Sequence, residues 1–154
     1  MKYVVRRAEK NPNDLSQIFE LLANHFSKEH KMGSEITANF DREKALRSII
    51  ASIDTAAWVA EDENGIIIGS LGLLLNSPWY SHEHRYGDLW FYVLPENREY
   101  RLARAFINEV KAFSRESQHP VVLGIFNMDD TERKNKMMER LGMKLAGSFY
   151  YFGE

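Results

Sequence analysis

The chain has 154 residues, 44% of them hydrophobic and 27% charged, which suits one soluble globular domain over 1–154 with a sizeable core. A net charge of −2 argues against a surface built to grip nucleic acid or an anionic membrane, and no apolar run approaches the ~20 residues of a membrane span. The absence of cysteine excludes disulfides, thiolate metal sites and cysteine nucleophiles, and a start without an apolar stretch makes cytoplasmic the expected compartment.

Residues 3–7 form a short β-rich run, read as the first strand. Asn11-Pro12-Asn13-Asp14 is turn chemistry, with Asp14 the expected N-cap of a helix carrying Leu15, Ile18, Leu22 and Phe26 at helical spacing. A polar stretch leads through Gly33 to a second helix from about Asp41, with Leu46, Ile49, Ile50 and Ile53 as its apolar stripe. Two apolar runs, 57–61 and 66–75, flank Asp62-Glu63-Asn64-Gly65, a strong hairpin signal. An irregular loop, 76–86, carries Trp79, Tyr80, His82, Glu83 and His84. A strand over 88–94 then stops at Pro95, which cannot donate to a sheet ladder. The next helix has Leu102, Phe106, Val110 and Phe113 on one face. His119-Pro120 closes that connection, and 121–126 reads as another strand. Residues 131–141 form a helix closed by Gly142 in the left-handed conformation, and 146–152 is a final β-rich segment. The order β-α-α-β-β-β-α-β-α-β predicts an α/β (α+β) fold, a mixed sheet covered by helices, with 88–126 a parallel right-handed crossover.

Residues 88–106 carry the chemistry. A strand ends, a tight basic turn follows, and a helix begins with unpaired N–H groups and the positive end of its dipole. Arg98, Arg101 and Arg104 cluster there, an arrangement that suits a phosphorylated ligand. An ordinary connection with a solvated basic rim is the alternative. His82-Glu83-His84 lacks the helical spacing of zinc hydrolases, so no metal site is expected. His25 and His30 bracket the end of the first helix and face different sides, as simple partners of its dipole. Trp79 and Tyr80 suit either a substrate mouth or plain packing.

The order of elements and these residues resemble the GNAT superfamily of acyl-CoA-dependent N-acetyltransferases. There the fourth strand ends V-x-P-x-x-R and enters a pyrophosphate turn of the form (Q/R)-x-x-G-x-(G/A). Val93, Pro95, Arg98 and Ala103 fit, while Arg101 and Glu99 stand where glycines are usual. Glu139-Arg140-Leu141-Gly142-Met143 is similar to the family's Y-E-K-L-G-F ending. The degenerate turn is similar to that of GNAT-like proteins met in bacteriophage genomes.

The resemblance implies a mostly antiparallel central sheet whose parallel fourth and fifth strands splay near Val93 and Pro95, with helices on both faces. It implies acetyl-CoA as co-substrate and a primary amine as acceptor, on a small molecule or a protein. Pantetheine would lie along the backbone of Tyr92, Val93, Leu94 and Pro95, with Asn127 a further partner. The pyrophosphate would sit among Arg98, Arg101, Leu102, Ala103 and Arg104. Arg101 either crowds the approach that glycine permits or replaces lost backbone contacts with charge-assisted bonds. Asp88 is the implied base, with Glu83, His82 and His84 as alternatives. The family's usual acid, a tyrosine on the last helix, aligns with Met138, which cannot donate a proton, so either Tyr92, Tyr150 or Tyr151 does so or the thiolate leaves without a dedicated acid. The competing reading is a non-catalytic acyl-CoA-binding or protein-interaction module that keeps the fold. A homodimer is common in the family; nucleic-acid and membrane partners are not expected.

Overall fold

Strand order in the sheet follows chain order. The computed structural model describes residues 2–29, 40–125, 130–148 and 150. Its five strands are β1 Tyr3–Arg7, β2 Ala56–Asp62, β3 Ile67–Asn76, β4 Arg85–Val93 and β5 Val121–Val122. The first three junctions are antiparallel and the last is parallel, which gives the mixed sheet read from the element order. The helices are α1 Pro12–Leu21, α2 Arg42–Thr55, α3 Tyr100–Ser117 and α4 Thr131–Arg140; a π-helical turn, Leu22–Phe26, carries α1 on to Ser27–Glu29.

Two apolar layers flank the sheet. On one face Ile18, Leu21, Ile49 and Ile53 from α1 and α2 pack on Ala57, Val59, Trp90 and Tyr92. On the other, Leu102, Phe106 and Val110 from α3 pack on Trp58, Leu71 and Leu73. Alternation along β4 therefore sends Trp90 and Tyr92 to the α1/α2 face, and Phe91 and Val93 to α3.

Four sequence expectations need correction. Asn11, not Asp14, caps α1, its side chain accepting the Asp14 N–H at 2.8 Å. Asp14 is wholly buried instead, bound by both terminal nitrogens of Arg6 at 2.8 Å and by the Glu9 N–H. The loop before β4 is shorter than 76–86, because β3 runs through Asn76 and β4 begins at Arg85. The strand expected over 121–126 pairs only at Val121 and Val122, and residues 123–125 leave the sheet. Residues 146–148 and 150 form no strand, and the rest of that segment lies outside the described residues.

The turn readings hold. Gly65 takes φ +78° in the β2–β3 hairpin, where Asp62 Oδ1 accepts the N–H groups of Asn64 and Ile66. Gly142 takes φ +85° past α4, with the Met143 N–H on the Met138 carbonyl at 3.0 Å. Asp41 caps α2 by accepting the Lys44 N–H.

Candidate functional site

The site begins where β4 changes register. Gly72 lies opposite Trp90, but Leu73 lies opposite Asp88, so Leu89 is an extra residue bulged out of β4. At the same point β5 leaves. The Tyr86 N–H donates to the Pro120 carbonyl at 2.9 Å, and pairing runs through Tyr86–Val121 and Gly87–Val122. In a regular parallel ladder the following rung on β5 would take the Gly124 N–H to the Asp88 main-chain carbonyl. It goes to the side chain instead: Asp88 Oδ1 accepts from Gly124 at 2.8 Å.

Beyond that rung no described residue pairs with this edge of β4, which is called the open edge below. The Leu94 N–H turns inward to the Ile68 carbonyl at 2.9 Å. Alternation therefore turns the main-chain amides of Phe91 and Val93 outward, away from β3. The Val93 carbonyl is held there by Arg98 Nε at 2.8 Å, and the Arg98 guanidinium lies 5.2 Å from the Tyr92 ring centre. Pro95–Asn97 forms a single 3-10 turn that joins this edge to α3.

The α3 N-terminus has no side-chain cap. Its N-cap residue, Glu99, is extended and makes no side-chain hydrogen bond to the helix. Burial, followed by the influence of the Glu99 carboxylate, pushes the Tyr3 hydroxyl pKa up. The N–H groups of Tyr100, Arg101 and Leu102 consequently have no acceptor four residues back. The Ala103 N–H is used on the Glu99 carbonyl at 3.2 Å, and that of Arg104 falls within the helix. The N–H cradle is thus 100–102, one step earlier than the sequence motif suggests. Arg98, Arg101 and Arg104 are all exposed around it, while the Leu102 side chain is buried under the sheet.

Among the candidate acid–base residues, Asp88 stands apart. Burial pushes its carboxyl above the ordinary carboxylate range, against the opposing pull of the Gly124 hydrogen bond. Glu83 is exposed in the loop, its own N–H on Ser81 Oγ at 3.1 Å, and His82 is exposed as well. His84 lies 6.0 Å from His119, whose ring is 6.0 Å from Tyr86, an aromatic cluster where β4 begins. Tyr92 is buried on the α1/α2 face with Phe26 edge-on at 5.8 Å. Met138 is half-buried on α4, and Tyr150 is exposed. Asn127, Tyr151 and His30 lie outside the described residues. Trp79 and Tyr80, 96% and 72% exposed, meet edge to face at 5.5 Å and so are not packing residues.

Sequence reasoning missed Phe91, Tyr100 and Gly124. Phe91 and Tyr100 follow from strand parity and the helix start, which need boundaries good to one residue. Gly124 had no sequence signal, since its partner is a side chain across the sheet. Among the described residues no cluster of three His, Asp or Glu side chains is placed to hold a metal ion, and no helix is long and apolar enough to cross a membrane.

No protein-family model matches the chain, and no curated protein matches it by sequence. Solved structures do. An aminoglycoside acetyltransferase from an uncultured soil metagenomic sample superposes with a TM-score of 0.68 at 17% identity, over 100% of this chain and 99% of that one. The aminoglycoside enzyme AAC(6')-Iy, solved with a CoA-containing bisubstrate analog, gives 0.68 at 13% identity over the same shares. Glucosamine-6-phosphate N-acetyltransferase from Arabidopsis thaliana gives 0.64 at 14% identity, over 99% of this chain and 100% of that one. With its parallel β4–β5 pair parting at a bulge and its helix starting under an arginine-rich turn, the chain shares the fold of these three acetyltransferases.

Proposed function

We propose that the chain transfers an acetyl group from acetyl-CoA to a primary amine by direct attack. The observation that carries this reading is the open edge of β4. Pairing with β5 stops at Gly87, the amides of Phe91 and Val93 face outward, and the edge leads directly to an uncapped helix start ringed by three exposed arginines. A peptide-like pantetheine arm can pair with such an edge as an added strand. The N–H groups of Tyr100, Arg101 and Leu102 suit a pyrophosphate, with Arg98, Arg101 and Arg104 supplying charge. The likeness to acetyltransferases, one of them solved with a CoA analog, supports the same assignment.

In the step proposed, the amine nitrogen attacks the thioester carbonyl carbon and a C–N bond forms. The C–S bond then breaks and the electron pair leaves on sulfur. Asp88 takes the amine proton, directly or through one water, a task that its raised pKa favours at neutral pH. Tyr92 is the proposed donor to the leaving thiolate, and Glu83 is the alternative base. Trp79 and Tyr80 stand at the acceptor side. Cytoplasmic location fits a reaction that draws on acetyl-CoA.

A thiol-release assay with an amine panel tests the reading. Asp88→Asn is expected to lower turnover by about 10²–10⁴-fold while CoA still binds. Unchanged turnover in the folded variant moves the role to Glu83 or to no protein base. Met138, at the position where an acid tyrosine is usual, favours a second reading, a CoA binder without turnover. CoA binding with no thiol release from any amine would establish that one.

A further inference from the structure

We infer that Asp88 is also the positioning residue that sets the width of the β4–β5 cleft, its side chain standing in for its own main-chain carbonyl as the last rung between the strands. This rests on the CoA reading above only for its consequence in binding; the rung itself is a feature of the free chain.

Three observations meet at one place. The parallel ladder is regular up to Gly87–Val122 and would continue by placing the Gly124 N–H on the Asp88 carbonyl. That N–H is found on Asp88 Oδ1 at 2.8 Å. The bulge at Leu89 falls on the next residue of β4. A carboxylate reaches further from the strand axis than a main-chain carbonyl does, so accepting the rung on the side chain holds β5 away. The bulge alone bends β4, but it does not fix where β5 goes. The carboxylate bond does, and no described residue pairs with the amides of Phe91 and Val93 behind it. Without that acceptor, Gly124 has the main-chain carbonyl as its alternative partner, and taking it would draw the strands together.

Asp88 can therefore serve two purposes: Oδ1 holds β5, while the charge of the carboxylate serves the amine proton. Substitutions separate them. In Asp88→Asn the side-chain oxygen can still accept from Gly124, but the charge is gone. In Asp88→Ala both are lost. Asp88→Leu, similar in size to Asn and without an acceptor, serves if the alanine variant does not fold.

CoA dissociation constants measured by calorimetry on the full chain and its variants give the first test. Asp88→Asn should bind CoA within about twofold of the native chain, and Asp88→Ala or Asp88→Leu about tenfold more weakly, the worth of roughly one misplaced hydrogen-bonding rung. Turnover should fall in all of them. Equal CoA affinity for the asparagine variant and the acceptor-less variants, whether both high or both low, overturns the inference. If the native chain does not bind CoA, the reading above fails, and the inference is decided by structure alone. A crystal structure of D88A should show the Gly124 N–H on the main-chain carbonyl of position 88 and the pairing extended by one rung. A D88A structure with the cleft unchanged overturns it.

Discussion

The two edges of β4 are built in opposite ways. Toward β3 the strand makes eight residue pairs, from Arg85–Asn76 to Val93–Gly69. That edge is locked from above as well. The Trp90 ring covers Gly72, Trp90 Nε1 donates to Ser70 Oγ at 2.9 Å, and Ser70 Oγ donates to the Trp58 carbonyl at 2.9 Å. Ser52 Oγ donates to the Leu73 carbonyl beside the bulge. Toward β5 the described residues make two pairs and one rung through a side chain, and none of them pairs with the edge beyond. Unpaired main-chain groups along a strand are a liability in a soluble protein. They are tolerable here because burial on the closed side fixes the strand without needing the open one.

Breaking the closed edge should have the largest effect. A Cβ at position 72 would lie 2.4 Å from two Trp90 ring atoms and 2.6 Å from Ser52 Oγ. Neither can move without opening the Trp90–Ser70 bond or the Ser52–Leu73 bond. Gly72→Val should therefore cost about 3 kcal/mol of stability, the upper part of the usual range for overpacking, seen as a lower urea midpoint. CoA binding should be lost with it, since the bulge sits against this pair. A variant as stable as the native chain would mean that the closed edge is not what holds the open one.

The contrast extends to charge. Asp14 is a buried carboxylate and Asp88 a half-buried one, and they are shifted in opposite directions. The Arg6 guanidinium, with its bidentate bond, holds the Asp14 carboxyl below its ordinary value, so the ionised form is favoured on folding. Its stabilisation is present above the unfolded pKa of about 4 and is lost as pH falls through the lower folded value. Burial holds the Asp88 carboxyl above its ordinary value, so the sign reverses. Its favourable contribution is full below the unfolded pKa and is lost as pH rises through the folded value. Asp88→Asn should then melt higher than the native chain at neutral pH, the difference shrinking toward pH 3. Asp14→Asn should melt lower at neutral pH, with that gap closing in acid. A neutral-pH loss of stability in Asp88→Asn would make the residue a structural carboxylate rather than a site carboxylate.

Much of this was legible in the chain, and the limits have physical causes. Helix spacing, Gly65, Gly142, Pro95 and the strand–helix–strand order are local signals, and local signals gave the layers and the parallel pair. Asp14 was misread because an acidic residue behind a proline turn resembles a cap; only Arg6, across the chain, shows that it is a buried partner. The cleft resisted for a similar reason. Val93, Pro95 and the arginines mark its far end, but the opening depends on which oxygen of Asp88 meets Gly124. No spacing in the sequence encodes that choice.

The helix end of the open edge offers a smaller test. Arg101 stands where a glycine is usual in similar turns, and its side chain is exposed at the second residue of α3, beside the cradle of N–H groups. Arg101→Gly should weaken CoA binding about fivefold and make it less sensitive to salt, as expected when one charge-assisted contact to phosphate is removed. Tighter binding would show instead that the side chain obstructs the turn, leaving the N–H groups as the whole of the anion site.

The smallest effect is expected at Arg98, although it is the arginine that fits the family pattern best. Its Nε is bound to the Val93 carbonyl at 2.8 Å and its guanidinium lies over Tyr92, so it tethers the turn to the open edge. That bond is exposed to solvent, where a hydrogen bond contributes about 0.5 kcal/mol. A carbonyl oxygen can accept twice, so the tether need not exclude a pantetheine amide from the same group. Arg98→Ala should therefore lower the melting temperature slightly and weaken CoA binding about twofold, less than Arg101→Gly. A loss of tenfold or more, with an unchanged melting temperature, would assign Arg98 to the phosphate rather than to the strand.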